Sequence, residues 1–392
     1  MSNNSNVYCF LNSPYLGGAE RSFVLQASDL KKMKPNYVVH FYLPYFQKIE
    51  ETSQLANFIV ENGFRNNQIS YYLYSPILYN LSRSHGLGVL LWLPQVLFGL
   101  LVTVKNLSRL NLSNPRVWWV GGNKVGFVVY LLGIVSGFKG RLLWHFRDYP
   151  YAIGFYKLIW YLFRLPHQFK LEAIGNSFDV ADHIKSFRRY FSKIHVLYNP
   201  VGTIPFRLSH DEPLILGTAS MMAPWKGIHS LVFFAELYKN ELKDLGFKNF
   251  YIYGDEIYKT KGQHIGYKSS LIRLARKFED DFVVFKGMGT PADIFSSLDV
   301  FIHGSLEPEP FGRVILESYH GGSALISTAL GGSHELIEDG QTGYVFKPHD
   351  YQGLFESIKK VSGDDRFRVI QNGRDKAHKL KELYLKQLES AF

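Results

Sequence analysis

Two glutamates eight positions apart, Glu309 and Glu317, stand in the segment SLEPEPFGRVILESYHGG, residues 305–322. The preceding residues, DVFIHGS, predict a buried strand, SLEPEP the loop at its carboxyl end, and FGRVILESYH a helix. A helix rises ~1.5 Å per residue, so the two carboxylates would lie on the order of 10 Å apart. Carboxylates accept strong hydrogen bonds from sugar hydroxyls. The pair could therefore hold the ribose and the hexose at the two ends of a nucleotide sugar.

The same helix start could bind the diphosphate between those sugars. The backbone amides around Phe311, Gly312 and Arg313 would meet it, because a helix start presents N–H donors and the positive end of the helix dipole. Gly312, which we place in the first turn, has no side chain to obstruct that approach. An alternative remains open: Glu309 is an ordinary N-terminal helix acid and Glu317 is solvated or salt-bridged.

Alternating apolar runs and helical patterns predict the elements that position these residues. The strand-like runs of the first half are VYCFLN, YVVHFYL, RVWWVGG and RLLWHFRD, and those of the second half are EPLILGTAS, NFYIYGDE, DFVVFKG, DVFIHGS and ALISTALGG. Helical stretches separate them, which is typical of doubly wound parallel sheets. We predict an α/β protein with domains at residues 1–201 and 202–372, a linker near residues 199–213, and a C-terminal helix at 373–392 that could pack back on the first domain.

The spacing E-P-F-G-x-V-x-x-E resembles the signature of retaining GT-B glycosyltransferases of family 4, also described as glycosyl transferases group 1. The resemblance implies two Rossmann-like domains facing across a cleft, with the acceptor bound by the first and the donor by the second. It implies transfer of a hexose from a nucleotide-diphosphate sugar with retention of configuration. Glu309 would orient the hexose hydroxyls and Glu317 the ribose.

Two segments of the first half are similar to the same family. LGGAERSF resembles its glycine loop, in which Gly17 and Gly18 let the backbone approach the donor phosphates. LLWHFRDYP resembles its histidine segment, which would bring His145 to the transferred sugar and Arg147 and Asp148 to the acceptor side. Taken alone, the glycines fit a plain β-α turn and the histidine fits a structural residue.

GTASMMAPWKG, residues 217–227, resembles the segment in which an arginine and a lysine bind the donor diphosphate. Lys226 matches the lysine. The place of the arginine falls on Ser220 or Met221, so one cation of the pair is missing, and Arg313 is the nearest candidate to compensate. Without compensation the enzyme would be slow or inactive. By the same resemblance, backbone groups from Phe285 to Met288 run beside the nucleobase.

No metal or other cofactor is expected. The acidic run Glu279, Asp280 and Asp281 lacks the D-x-D spacing of metal-dependent transferases and fits a solvated turn. Lys226 and the helix N-termini would take the place of a cation. The single cysteine, Cys9, excludes an internal disulfide and a thiolate metal cluster.

The net charge of +10 points to an anionic partner. Nucleic-acid-binding motifs are missing from the sequence, so we favour an anionic membrane surface. Residues 87–104 are nearly long enough to span a bilayer, but Pro94 and Gln95 disfavour that. A buried helix and a helix in the membrane interface, with Trp92, Lys105 and Arg109 near headgroups, remain equal alternatives.

These features, with the aromatic run FYKLIWYLFRL, predict a lipid-linked or membrane-proximal glycan acceptor, as in surface polysaccharide synthesis. The N-terminus lacks a basic leader and an apolar signal core, which predicts a cytoplasmic protein with peripheral contact at the inner face of the cell membrane.

Three other functions are compatible with doubly wound domains. A dehydrogenase would need G-x-G-x-x-G at its first β-α turn, and LGGAER lacks that spacing. A nucleotide-sugar epimerase on the same fold is a closer alternative, because fold does not dictate reaction. A non-catalytic sugar-nucleotide-binding partner subunit is favoured by the missing arginine.

Overall fold

Two parallel β-sheets, each flanked by helices, organise the chain, as a computed structural model shows. The structure describes residues 5–76, 78, 93–110, 112, 115–150, 166–208, 213–256, 266–276, 281–363 and 365–392. The chain forms two compact units, one of Met1–Pro200 with Tyr384–Phe392 and the other of Val201–Leu383. The α/β class and the doubly wound sheets predicted from the sequence are confirmed.

The first unit contains a seven-stranded sheet in the order β3-β2-β1-β4-β5-β6-β7. Its strands are β1 Ser5–Leu11, β2 Tyr37–Tyr45, β3 Ile69–Leu73, β4 Pro115–Gly121, β5 Arg141–Phe146, β6 Lys170–Gly175 and β7 Lys193–Val196. The central strands are apolar over nearly their whole length, because helices cover both faces of a parallel sheet.

Five helices accompany this sheet in the described part of the first unit: α1 Gly18–Met33, α2 Ser53–Glu61, α3 Leu93–Ser108, α4 Asn123–Val135 and α5 Phe178–Lys185. Short 3-10 helices lie at Ile49–Thr52, Asn66–Gln68 and Arg188–Tyr190. The core is rich in large aromatic side chains, and the ring of Trp118 stacks on that of Phe138 at 4.1 Å. The aromatic run predicted at residues 155–165 lies outside the described residues.

The second unit contains a six-stranded sheet in the order β10-β9-β8-β11-β12-β13. Its strands are β8 Leu214–Ala219, β9 Phe247–Tyr253, β10 Val283–Gly287, β11 Val300–His303, β12 Ala324–Ser327 and β13 Tyr344–Val345. Its helices are α6 Ile228–Leu237, α7 Lys239–Asp244, α8 Tyr267–Arg276, α9 Pro291–Phe295, α10 Arg313–Gly321 and α11 Tyr351–Ser362, with 3-10 helices at Pro224–Lys226 and Gly332–Leu336.

The long C-terminal helix, α12 Asp365–Ala391, begins in the second unit and ends in the first. Val369 and Ile370 are buried in the core of the second unit, and Leu388 and Ala391 are fully buried near the other end of the helix. Residues 201–208 have no regular secondary structure.

Helix α3 covers part of the segment that is nearly long enough to span a bilayer. In the described parts of the chain, no helix combines the length and the apolar character that crossing a membrane requires. Gly99 and Thr103 are buried residues of this helix, and the Thr103 hydroxyl accepts a hydrogen bond from the backbone N–H of Ser75 at 3.1 Å. The start of the predicted segment, with Trp92, lies outside the described residues.

Candidate functional site

The order of strands reverses once in each sheet, and several of the predicted site residues, among them Lys226 and Glu309, follow the strands at these points. From β8 the chain continues to β9 and β10 on one side, and then returns to β11 on the other. Parallel sheets bind ligands outside the carboxyl ends of the strands at such a reversal, because the loops diverge there and leave room. Lys226 ends the 3-10 helix after β8, and Glu309 lies in the loop after β11.

Lys226 and Glu309 form a buried ion pair at this reversal. The Lys226 ammonium contacts Oε1 of Glu309, and the two side chains are 10% and 11% exposed. The ammonium also lies 4.3 Å from the centroid of the Trp225 ring, a cation–π contact. Burial by itself raises the pKa of a carboxyl group, but Lys226 and His303 outweigh that effect and hold the pKa of Glu309 well below its ordinary value. Glu309 is thus a fixed carboxylate rather than a solvated helix acid.

His303 and Ser305, which sequence reasoning missed, hold the second oxygen of that carboxylate. Nε2 of His303 lies 2.5 Å from Oε2 of Glu309, and the Ser305 hydroxyl donates to the same oxygen at 2.9 Å. Both side chains are buried. The detectable sequence feature was a histidine as the last residue of an otherwise apolar strand, where its side chain reaches the ligand-binding edge of a parallel sheet.

Gly312 is the N-cap of α10 rather than part of its first turn. Its φ of 83° lies in the left-handed region, and a Cβ there would come within 3.0 Å of the Ser333 side chain. A residue with a side chain would be strained in this conformation. Phe311 is buried beside it. The backbone N–H of Glu309 donates to the carbonyl of Leu330 at 3.0 Å, and this bond connects the loop to the segment after β12.

Glu317 is buried on the inner side of α10 and pairs with Arg313. Nε of Arg313 lies 2.8 Å from Oε1 of Glu317, one helical turn away. The salt bridge that the sequence allowed for Glu317 is therefore present, with Arg313 as the partner. Ser220 and Met221, one of which is expected at the place of the missing arginine, follow β8, and the Ser220 hydroxyl donates to the Met221 carbonyl at 3.2 Å.

Phe285 lies in strand β10, and Met288 follows that strand with its side chain 64% exposed. They are two strands away from β8 in the sheet. Glu279 and Asp280 lie outside the described residues. Among the residues that are described, no group of three or more His, Cys, Asp or Glu side chains is arranged to hold a metal ion.

In the first unit the strand order reverses between β1 and β4, and a small cavity lies at their carboxyl ends. Gly17 caps helix α1 and Gly18 begins it. The cavity is lined by Leu11, Asn12, Ala19, Glu20, Phe23, Gly121 and Arg147. Burial raises the pKa of Glu20 to about 7, although backbone N–H groups and Arg147 act in the opposite direction. Glu20 is a third residue that sequence reasoning missed, although it lies within LGGAERSF.

Arg147 spans two buried amide side chains. Its Nη1 donates to Oδ1 of Asn199 at 2.7 Å, and its Nη2 donates to Oε1 of Gln26 at 2.5 Å. Gln26 in turn donates to the carbonyl of Tyr198 at 2.9 Å. Asp148, one position on, accepts a hydrogen bond from the backbone N–H of Tyr149 at 2.8 Å. The guanidinium is thereby fixed at the edge of the cavity.

His145 is the second-to-last residue of β5 and is fully buried. Its ring lies parallel to that of Trp119, with 6.1 Å between the centroids. Neither ring nitrogen has a hydrogen-bond partner within the described parts of the chain. Burial, with a smaller effect of Arg147, lowers the pKa of His145 well below its ordinary value. The imidazole is therefore neutral and offers one donor and one acceptor.

The chain resembles known proteins in part of its second unit and in its fold. Residues 212–364 match the family model described as Glycosyl transferases group 1. The spore coat protein SA of Bacillus subtilis (strain 168) is 31% identical over 29% of this chain and 29% of its own length. The capsular polysaccharide biosynthesis glycosyltransferase CapM of Staphylococcus aureus is 25% identical over 28% of this chain and 30% of its own length. The chain thus spans less than a third of these relatives.

The crystal structure of Anabaena HepE in complex with UDP-glucose covers 98% of this chain and 99% of its own, with a TM-score of 0.72 and 17% identity. The two doubly wound sheets of the chain form the GT-B fold, and its residues 212–364 match the group 1 glycosyl transferases.

Proposed function

We propose that the chain is a glycosyltransferase that moves a hexose from a nucleotide-diphosphate sugar to a glycan acceptor, with retention of configuration and without a metal ion. The observation that carries this proposal is the buried pair of Lys226 and Glu309 at the reversal of strand order in the second sheet. A cation and a carboxylate side by side suit a ligand that joins a diphosphate to a sugar. The match of residues 212–364 to group 1 glycosyl transferases supports the same reaction.

In the proposed reaction the bond between the anomeric carbon and the diphosphate oxygen breaks, and its electron pair leaves with the diphosphate. Negative charge grows on that leaving group while the sugar becomes oxocarbenium-like. Preorganised positive potential stabilises such a transition state. Lys226, the start of α10 at Gly312 and the start of α1 at Gly17 and Gly18 would provide it.

The acceptor oxygen forms its new bond on the same face of the sugar, which retains configuration, and a phosphate oxygen takes its proton. Glu309 would orient the hexose hydroxyls and Glu317 the ribose. Backbone groups from Phe285 to Met288 would contact the base. In the first unit, neutral His145 would face the transferred sugar and Arg147 and Asp148 the acceptor.

The donor class is supported by what related proteins are described as binding. HepE was crystallised with UDP-glucose, and the pneumococcal transferase GtfA with UDP and GlcNAc. CapM is described as an enzyme of capsular polysaccharide biosynthesis. We therefore propose a surface polysaccharide or its lipid-linked precursor as the acceptor.

Helix α3 supports a membrane-proximal acceptor. Its Leu97, Phe98 and Leu101 side chains are 50%, 65% and 70% exposed and lie within about one turn of each other. Lys105 lies one further turn along. An exposed apolar face with a basic end is the pattern of helices that lie in the interface of anionic membranes. We propose that this face gives the protein a peripheral membrane contact.

A donor panel tests the activity. The purified chain is incubated with labelled UDP- and GDP-hexoses and an extracted glycolipid acceptor, without divalent cations and with EDTA. We expect one donor to raise the melting temperature and to transfer its sugar, with Lys226→Met and Glu309→Gln reducing transfer at least tenfold. The exposed pair Lys359→Met and Glu356→Gln is the matched control. Isomerised donor without transfer would instead identify an epimerase.

Liposome co-sedimentation tests the membrane contact. We expect binding to vesicles that contain phosphatidylglycerol and weaker binding to phosphatidylcholine alone. Replacing Phe98 and Leu101 by serine should remove binding, whereas Leu237→Ser, which changes an equally exposed leucine of the second unit, should not. Equal sedimentation of the wild type with both kinds of vesicle would contradict the proposal.

One observation favours a second candidate, a non-catalytic sugar-nucleotide-binding subunit. The place of the usual arginine falls on Ser220 or Met221, and Arg313, the nearest candidate to replace it, is already paired with Glu317 at 2.8 Å. Donor binding without any turnover, in the presence of acceptor, would support this function.

A further inference from the structure

We propose that His303 is a positioning residue that holds the Glu309 carboxylate in place beside Lys226, through a buried chain of hydrogen bonds from the end of β12. The inference rests on the proposed function only in assigning a sugar-orienting task to Glu309. The contacts that carry it belong to the second unit alone.

The ionised state of Glu309 determines that the His303 nitrogen facing it carries a proton. Lys226 holds Glu309 ionised, and an ionised carboxylate is only an acceptor. Nε2 of His303, at 2.5 Å from Oε2 of Glu309, must therefore carry the hydrogen and donate it. Ser305 donates to the same oxygen. Because Lys226 contacts the other oxygen, donors on both sides determine the plane of the carboxylate.

The other ring nitrogen is held from the neighbouring strand. Nδ1 of His303 lies 2.9 Å from the Ser327 hydroxyl, at the end of β12. That hydroxyl accepts the backbone N–H of Ala329 at 2.9 Å. Ala329 has a φ of 49°, in the left-handed region that a residue with a side chain adopts only with strain. Strain of this kind persists where the surroundings over-determine the conformation, and it is frequent at functional sites.

Two further bonds attach the loop of Glu309 to the same segment. The Thr328 hydroxyl donates to the carbonyl of Ser305 at 2.7 Å, and the Thr328 backbone N–H donates to the carbonyl of His303 at 3.0 Å. Every member of the chain from Ser327 to Glu309 is buried. Water therefore offers these groups little competition, and each hydrogen bond has a larger effect on geometry than it would have at the surface.

Two amide replacements separate positioning from packing. In His303→Gln the amide nitrogen can occupy the place of Nε2 and still donate to Glu309. In His303→Asn the shorter amide can reach Ser327 but not Glu309. Both variants place a polar side chain of similar character in the same buried strand, so the structural cost of losing the ring is closely matched.

The measurements are turnover with the donor found in the panel, UDP binding by calorimetry, and the urea midpoint. We expect His303→Asn to lower kcat by roughly ten- to hundredfold, with KM for donor and UDP affinity within about threefold of wild type. His303→Gln should recover most of that loss at the same urea midpoint. Equal kcat values for the two variants would overturn the proposal, since a merely structural histidine would not distinguish them.

Crystal structures of the two ligand-free variants give a readout that does not need turnover. We expect the Glu309 carboxylate to keep its contacts with Lys226 and Ser305 in His303→Gln and to leave them in His303→Asn. An unmoved carboxylate in His303→Asn would overturn the positioning role. If the wild type turned over none of the donors, the proposed function would be wrong. The two crystal structures would still decide the role of His303.

Discussion

The hydroxyl of Tyr384 donates a hydrogen bond to Oδ2 of Asp29 at 3.0 Å, although the two residues are 355 positions apart in the chain. This contact attaches the last two turns of α12 to helix α1. Burial and the adjacent Asp29 raise the pKa of Tyr384 well above its ordinary value, so the hydroxyl stays protonated and can donate. The carbonyl of Ala391 and that of Phe392 accept further bonds from Arg141 and Tyr37, at 2.9 and 3.1 Å.

Removal of residues 384–392 should destabilise the first unit more than loss of the single hydrogen bond does. Tyr384→Phe leaves Asp29 without one buried donor and should lower the free energy of unfolding by about 1 kcal/mol. The truncation also removes Leu388 and Ala391, which are fully buried, and exposes the apolar surface that they cover, so it should cost several times as much. Urea denaturation measures both. Glu389→Ala, at an exposed position of the same helix, is the control, and an equal loss there would contradict the assignment.

The buried pair of Lys226 and Glu309 should show strong coupling in a double-mutant cycle. Either Lys226→Met or Glu309→Gln leaves the other charge buried without its partner, so each single change should cost about 3–5 kcal/mol of stability. The double variant should lose less than the sum, with a coupling energy of about 1–3 kcal/mol.

The same cycle on Lys359 and Glu356 provides the comparison. These side chains are each 47% exposed, so their coupling should stay below about 1 kcal/mol. Equal coupling in the two cycles would show that burial of Lys226 and Glu309 has no effect on their interaction.

Gly312→Ala should weaken both stability and turnover. The φ of 83° costs a residue with a Cβ about 1–2 kcal/mol, and the new Cβ would also crowd the Ser333 side chain. Chemical denaturation and donor turnover are the measurements. Gly363→Ala is the matched control, because its φ is −101° and no atom lies within 4 Å of the added Cβ. A Gly312→Ala variant as stable as this control would contradict the strain.

Because of Glu172, the free energy of unfolding of the first unit should depend on pH in the acid range. Burial raises its pKa, but hydrogen bonds from Arg141 and His195 outweigh that and lower it from 4.5 to about 2. A carboxyl whose folded pKa is depressed stabilises the fold above its unfolded pKa, and that contribution, about 3 kcal/mol, disappears as the pH falls from about 4.5 to about 2.

The comparison of wild type with Glu172→Gln across pH measures this contribution. The difference in unfolding free energy should be largest above pH ~5 and should narrow progressively below pH ~4.5. Glu356→Gln, in an exposed pair, should differ little from wild type at any pH. A difference for Glu172→Gln that stayed constant down to pH ~2 would show that its carboxylate is not the titrating group.

Local pattern predicted most of the secondary structure. The strand-like runs of the first and second halves coincide with β1, β2, β4, β5 and β8 to β12, because strands buried on both faces are apolar along their length. The Glu-Pro-Phe-Gly stretch correctly predicted a helix start, which lies at Arg313 rather than at Phe311. The pairing of Arg313 with Glu317 was also within reach of sequence reasoning, since residues four apart share a helix face.

The partners of Glu309 depended on tertiary structure. Lys226 is 83 positions away and reaches Glu309 because β8 and β11 are neighbours in the sheet, and Ser327 reaches His303 because β11 pairs with β12. The contact of Tyr384 with Asp29 likewise joins residues far apart in sequence. The positions of most strands and helices follow from local sequence alone, since propensity and periodicity act over a few residues. The tertiary structure decided which charges meet, because strand order, on which those contacts depend, follows from the packing of the whole unit.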